Sequence, residues 1–379
     1  MPWKETTLMS TRLEFVLLAQ QPGANIAALC RNFGISRKTA YKWLERHRGQ
    51  GNSGLQDRSR RPHASPASTH ATLEAAILAL NAEHPYWGAR KLRTLLLCEA
   101  KPPHHSTIDA VLRRHGRTIL GAPVRQEEVA PSRFEHAAPN LLWQMDFKGH
   151  FALTDARAGR CHPLTILDDH SRYNLCLSAC GNEQRSTVQT ALQATFERYG
   201  LPERMTADNG APWGTSGRAG LSQLAVWLIR LGIRVGHSRP HHPQTQGKDE
   251  RFHRTLKLEL LQRNGFESLD ACQFAFDRWR ERYNTVRPHE ALQQQTPISR
   301  YRASGRAFPS VLPPIEYPSG DTVRKVSDKG EISFQNRRYF IGEGLRTQLV
   351  AIKPTTIDDV FEVFFCHKEI RRINLRDSP

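Results

Sequence analysis

No run of apolar residues in this chain approaches the ~20 needed to cross a bilayer, which excludes a helical membrane span. The N-terminus offers no secretory leader either. Its apolar patch at 13–19 is short, contains Glu14, and has no small-residue cleavage site after a basic segment. The two absences predict a cytoplasmic protein. Cysteine is equally unhelpful to a structural framework, since the seven residues are scattered without CxxC spacing and their odd number argues against disulfides. Without cysteines at finger-like spacing, the pairs His104-His105 and His241-His242 read as loop or surface histidines and not as zinc sites. No internal repeat of fixed period is present. Acidic residues are outnumbered, 37 against 54 Lys and Arg, giving +17 spread along the chain and a pI near 9.9. A surface of that sign favours a polyanionic partner, and with no membrane span a nucleic acid fits best.

What is present divides into several parts, as expected for 379 residues, a length that suggests about two to four domains. Residues 11–46 hold three short helical patterns, with Leu13, Val16 and Leu17 marking the first and Ile26, Leu29 and Cys30 the second. Gly34-Ile35-Ser36 then makes a turn whose serine can cap a third helix beginning Arg37-Lys38-Thr39-Ala40-Tyr41-Lys42-Trp43. This is a helix-turn-helix pattern, with Ile35, Tyr41 and Leu44 expected inward and Arg37, Lys38 and Lys42 toward DNA. A helical bundle without a ligand has the same outline, and the basic start of the third helix favours DNA.

Residues 51–68 form a Gly/Ser/Pro/Arg linker with no core-forming periodicity. Helical spacing resumes at 72–80, and HPYWGARKLRTLL (84–96) gives an aromatic-Gly turn followed by a helix that starts with Arg90 and Lys91. Residues 106–115 repeat a capped basic helix ending in Arg113 and Arg114, so a second, looser helix-turn-helix is expected to offer these four cations to DNA. After a connector the pattern alternates: strands at 142–151, 163–167 and 173–178, a helix at 188–199, a strand at 204–207, a helix at 221–231, a strand at 233–236 and a helix at 269–284. That order predicts a mixed sheet with helices on its faces. Four prolines in 309–318 mark a stiff linker, and six short strand-like runs beyond it predict a small antiparallel barrel.

The chemistry centres on HHPQTQGKDERFHRTLK at 241–257. Its first half is loop, and its second half is a helix on which Glu250, Arg254 and Lys257 fall at i, i+4 and i+7, one carboxylate and two cations on one face, with Lys248 at the helix start. A solvated helix carries such a stripe too. The weight comes from Asp146 in LLWQMDFKG and Asp208 in MTADNG, each a lone acid in or just after a short apolar run. Cutting or joining DNA requires an activated oxygen nucleophile and a stabilised oxyanion leaving group, which two metal ions about 3.5–4 Å apart can supply. Mg²⁺ prefers oxygen ligands and keeps several waters, so a few carboxylates suffice.

In order along the chain, WQMDF around Asp146, LTILDDHSRY around Asp168, the DNG that begins with Asp208, PQTQGKDERFHRTLK around Glu250 and the tail YNTVRPHEALQQQTP closely resemble the DDE transposases of bacterial insertion sequences, relatives of the retroviral integrases. The resemblance covers 140–301 most specifically and extends to most of the chain. It implies a multidomain α/β protein: an RNase H-like mixed-sheet catalytic core, N-terminal helix-turn-helix domains and a C-terminal small β-barrel. The expected boundaries are 1–49 and 69–120 for the two DNA-reading domains with a basic linker at 50–68, a connector at 121–139, the core at 140–305, the proline-rich linker at 306–318 and the barrel at 319–379.

The resemblance also makes Asp146, Asp208 and Glu250 the metal-binding triad. They would hold two Mg²⁺ ions per site, with Mn²⁺ substituting. The implied activity is a transposase that cleaves at the terminal repeats of its own element and transfers the 3′-hydroxyl ends into target DNA. It would act as a nucleoid-associated dimer or tetramer on paired double-stranded ends. The alternative is a transposase-derived regulator or architectural protein that binds DNA without catalysis. Two departures stand out. The second and third acids are 42 positions apart, longer than usual, with 211–220 the natural place for an inserted loop, and Asp249 occupies a position that is usually valine or leucine-like. Neighbouring helix positions point about 100° apart, so Asp249 is not expected to replace Glu250, and its charge would repel phosphate or alter metal affinity.

Overall fold

The structure, a computed structural model, describes residues 8–58, 69–96, 102–117, 135–207, 210, 212–213, 220–237 and 247–377. The chain divides into two compact units, Met1–Ser68 and Thr69–Pro379.

The first unit holds helices α1 (Leu8–Ala19), α2 (Ile26–Asn32) and α3 (Arg37–Gln50). Asn25 caps α2 and Ser36 caps α3, each side-chain oxygen accepting a backbone N–H three residues on at 3.1 Å. Phe15, Val16, Cys30, Ala40 and Trp43 form the core. Leu55 joins them from a short 3₁₀ turn at Gly51–Leu55, and Arg12 donates to its carbonyl at 2.8 Å. The start of the expected linker therefore belongs to the domain. Tyr41 is a second correction. It is 59% exposed, because Ala40 and Trp43 take the inward stripe of α3 and the intervening residue is rotated about 100° from Ala40.

The second unit begins with α4 (Ala71–Glu83), α5 (Ala89–Leu96) and α6 (His105–Arg114), packed around Ile77, Trp87, Leu92, Ile108 and Val111. The aromatic turn expected before α5 is built by His84 stacked on Trp87, ring centroids 3.9 Å apart.

The central sheet comprises β1 (Trp143–Phe147), β2 (Phe151–Ala152), β3 (Arg160–Asp168), β4 (Asn174–Cys180), β5 (Arg204–Ala207) and β6 (Arg234–His237). Strands β4, β3 and β1 pair antiparallel, β5 and β6 continue from β1 in parallel, and β2 pairs with the start of β3. Helices α7 (Arg185–Tyr199) and α8 (Gln223–Arg230) bury Val188, Leu192, Phe196, Leu224 and Leu228 against Trp143, Met145, Leu164 and Ile166. On the other face α9 (Gly247–Leu256) and α10 (Leu269–Thr285) pack Phe252, Leu256, Phe276 and Trp279 against Leu153, Cys161, Leu167 and Leu177. The strands are apolar on both faces because helices cover both, which is why their sequences read as runs and not as strict alternation.

The chain leaves α7 through Gly200 at φ +75, where an added Cβ would come 2.7 Å from the Ser304 carbonyl. The Arg306 carbonyl, 2.8 Å from the same position, opens the proline-rich segment, which is clamped to the core and is not a free spacer. Arg306 donates to the carbonyls of Pro202 at 2.6 Å and Leu231 at 3.0 Å, and Phe308 packs into the core beside Phe196.

Beyond it lie β7 (Thr322–Lys325), β8 (Glu331–Phe334), β9 (Arg337–Phe340), β10 (Leu349–Pro354), β11 (Val360–Phe365) and β12 (Lys368–Asn374). They form an antiparallel sheet in the order β12-β11-β10-β7 and a separate hairpin, β8-β9. The expected barrel is therefore not closed among the described residues, because the hydrogen-bond ladder stops between β7 and β8. Their apolar side chains enclose Val326, Ile332, Tyr339, Val350 and Phe365 together with Leu221, Ala225, Val226 and Ile229 of the α8 region. Helix α8 thus feeds two cores, and all six residues Leu224 to Ile229 are buried. The fit is close enough that a Cβ on Gly344 would lie 2.0 Å from the Leu221 carbonyl oxygen.

Candidate active site

Asp146 is the fourth residue of β1, opposite Thr165 of β3. Alternation sends Trp143 and Met145 into the α7/α8 core, and Asp146 lies toward α9, its side chain 34% exposed. The Thr165 hydroxyl donates to the Asp146 carbonyl oxygen at 2.9 Å and is itself 2.9 Å from His253 Nε2. His253 Nδ1 lies 3.8 Å from Asp146 Oδ2. Burial, aided by the Lys148 charge, pushes His253 down to about 4, so the ring is neutral at physiological pH.

Strand β5 runs parallel to β1, with Trp143 beside Met205 and Gln144 beside Thr206. It ends at Ala207, and Asp208 and most of 211–220 lie outside the described residues.

On α9 the inward stripe is Asp249, Phe252, His253 and Leu256. Glu250, Arg254 and, in the π-type turn that follows, Lys257 are exposed, so the three residues do share the outer stripe expected of them. Asp249 lies inward: it is 5% exposed, Oδ1 has no hydrogen-bond partner among the described residues, and burial reinforced by the charges of Asp146 and Asp169 raises its carboxyl well above the usual range. The structure therefore brings Asp146 together with His253 and Asp249, and Glu250 stands on the exposed side of the same helix. Among the described residues no three His, Cys, Asp or Glu side chains converge closely enough to hold a metal.

Lys248 differs from expectation. Its ammonium is turned inward onto the buried carboxylate of Asp169, leaving it 16% exposed and not presented to DNA. Asp169 accepts further from the backbone N–H of His136 at 3.0 Å. Burial opposes ionisation of Asp169, but the bonds from Lys248 and His136 overcome it and hold the carboxyl below its ordinary value. Its neighbour Asp168 ties the turn after β3, accepting from Asn140 N at 2.7 Å and Ser171 N at 2.8 Å. Burial nevertheless raises the Asp168 carboxyl. The LDDHSR motif is thus an anchoring turn for the connector and for the first residues of α9.

Arg37, Lys38 and Lys42 line the exposed face of α3 together with Tyr41, and Lys42 Nζ also lies 4.4 Å over the Trp43 ring. In the second helical domain Arg90 is exposed but reaches Glu290 at 2.7 Å, and Arg114 pairs with Glu74 at 3.1 Å, while Arg113 is exposed. Lys91 is half-buried, and burial followed by the Arg287 charge lowers its ammonium to about 8.

His253, Thr165 and Asp169 were not singled out in the sequence. The spacing of Asp249 and His253 at i, i+4, on the stripe of Phe252 and Leu256, was the available signal for the histidine.

Family models match successive parts of the chain: a helix-turn-helix domain at 11–63, a homeodomain-like domain at 39–112, integrase core domains at 136–243 and 231–297, and the C-terminal domain of IS481 family transposases at 321–378. An uncharacterized 39.2 kDa protein of insertion element IS476 from Xanthomonas euvesicatoria is 27% identical over 282 residues, covering 73% of this chain and 78% of that one. The transposase for insertion sequence element IS904 from Lactococcus lactis is 26% identical over 180 residues, 47% of this chain and 67% of its own length. Among solved structures, the HTLV-2 integrase catalytic core domain in complex with magnesium matches with 16% identity and a TM-score of 0.34, covering 44% of this chain and 99% of that one. Integrase-core, helix-turn-helix and IS481-family transposase C-terminal matches thus follow one another along the sequence, and the chain is similar to proteins of bacterial insertion elements.

Proposed function

We propose that the chain binds the terminal repeats of its mobile element, cleaves at the ends and joins the freed 3′-hydroxyls to target DNA, with Asp146, Asp208 and Glu250 as the working carboxylates. The observation that carries this reading is Asp146 itself, a half-exposed acid on the central strand of the sheet beside the helix that bears Glu250. The donor chemistry fits a hard cation: the Asp146 carboxylate is accessible, and Asp249 Oδ1, without a hydrogen-bond partner among the described residues, adds a further oxygen donor nearby. Held by the three carboxylates, two Mg²⁺ or Mn²⁺ ions would supply the positive charge that activates the attacking oxygen and stabilises the leaving one.

The chain's own residues bind and orient. Arg254 and Lys257, on the exposed stripe with Glu250, hold backbone phosphates next to the reacting bond, and α3 supplies Arg37, Lys38 and Lys42 to the element end. Asp146→Asn, Asp208→Asn and Glu250→Gln are each expected to abolish cleavage and joining of element-end DNA and to leave end binding intact. Asp249→Asn is the control. An inactive Asp249→Asn beside an active Glu250→Gln would transfer the third role to Asp249, and full activity in Asp146→Asn would sink the reading.

A further inference from the structure

The hydrogen bonds around Thr165 have only one consistent direction. A threonine hydroxyl carries a single proton, and here it goes to the Asp146 carbonyl oxygen, which can only accept. The second contact, 2.9 Å to His253 Nε2, must then be donated by the ring. The other ring nitrogen, Nδ1, lies 3.8 Å from Asp146 Oδ2, too far for a direct bond. His253 is 8% exposed, on the inward stripe of α9. One side chain therefore ties the helix to the strand that carries Asp146.

We infer that His253 is a positioning residue, which through Thr165 sets the roll of α9 relative to β1 and so fixes the placement of Glu250 against Asp146. The inference rests on the reading of Asp146 and Glu250 as the working acids. Its geometry follows from helix spacing. Three residues correspond to about 300° of rotation and 4.5 Å of rise, so holding His253 fixes the direction of the Glu250 side chain one turn earlier. Catalytic constellations tolerate only ~10–20° of misorientation, which hydrophobic packing of Phe252 and Leu256 alone leaves loosely specified.

The test uses the full chain and Mn²⁺ alone as probe, with binding read by calorimetry and by the metal-induced rise in melting temperature. Thr165→Val and His253→Ala are each expected to weaken Mn²⁺ binding by about tenfold or more, the usual cost of removing a partner that orients a metal ligand. The double variant should be no weaker than the singles. Thr165→Ser restores the hydroxyl and His253→Gln places an amide N–H near the Nε2 position, so both are expected to recover most of the affinity. That recovery would not follow from a packing role, and it keeps the test open should His253→Ala fail to fold. Wild-type Mn²⁺ affinity in Thr165→Val and His253→Ala, with Asp146→Asn unable to bind, would overturn the inference and leave the function standing. Unchanged binding in Asp146→Asn would overturn both.

Discussion

The side-chain amide of Asn284, on α10, closes a reciprocal pair with the backbone of Asn174, at the start of β4: Asn174 N–H donates to Oδ1 at 2.8 Å, and Nδ2 donates to the Asn174 carbonyl at 2.9 Å. Both residues are buried. Asn174 in turn donates to Ile166 O at 3.1 Å and Cys176 O at 2.9 Å, at the irregularity where β3 and β4 shift register. Asn284→Ala would strand a buried N–H and a buried C=O, at ~1–3 kcal/mol for each. A destabilisation of about 2–6 kcal/mol is expected in urea unfolding. A change below half a kilocalorie would mean that water replaces the amide.

Lys91 predicts a pH effect of defined sign. Its ammonium is lowered to about 8 by burial and by the Arg287 charge, whereas the unfolded chain keeps its lysines at the ordinary value. Between these values the folded state binds fewer protons than the unfolded one, so this group makes stability rise as pH climbs from about 8 toward 10. Lys91→Met is expected to be more stable than wild type at pH 7, with the difference shrinking across that window. Parallel pH profiles for the two proteins would contradict it.

The exposed face of α3 predicts two kinds of variant. Tyr41→Ala is expected to weaken DNA binding with little loss of stability, because the ring is outside the core, whereas Trp43→Ala should cost ~3–5 kcal/mol in folding. Among Arg37, Lys38 and Lys42, a base-reading side chain relaxes preference at one position by ~1–3 kcal/mol, and a phosphate contact lowers affinity for all sequences and reduces the salt slope by about one. Salt titrations unchanged in all three would remove α3 from the interface.

DNA-reading helices and the acid-bearing sheet occupy separate parts of the chain, so one subunit can hold an end that another cuts. A mixture of an α3 variant defective in end binding with Asp146→Asn is expected to restore joining that neither shows alone. Strand transfer by a species that sediments as a monomer on paired ends would exclude the multimer.

Much of the fold was legible because its signals are local. Ser36 before a basic run marked α3, and the strand at 204–207 was found to the residue. The errors came where tertiary context decides. Tyr41 reads as a core aromatic until Ala40 and Trp43 are seen to fill the inner stripe. Lys248 reads as a phosphate ligand until the turn after β3 brings Asp169 beneath it. Asp249 reads only as a neighbour of Glu250 until the apolar spacing of Phe252 and Leu256 is seen to put its side chain inside. The linker at 309–318 looked independent because proline stiffness says nothing about what the segment lies against.

Helix α8 has a consequence for how such proteins can be recombined. One of its sides completes the integrase sheet, and the other completes the C-terminal sheet, with Gly344 pressed onto the Leu221 carbonyl. The natural cut point by sequence, the proline-rich stretch, therefore runs through no true seam. A chimera that exchanges C-terminal domains there inherits Ala225, Val226 and Ile229 from one parent and their packing partners from the other. The packing unit is the C-terminal sheet plus the side of α8 that it covers, so a chimera that exchanges 321–378 together with 221–229 is expected to be more stable than one that exchanges 321–378 alone.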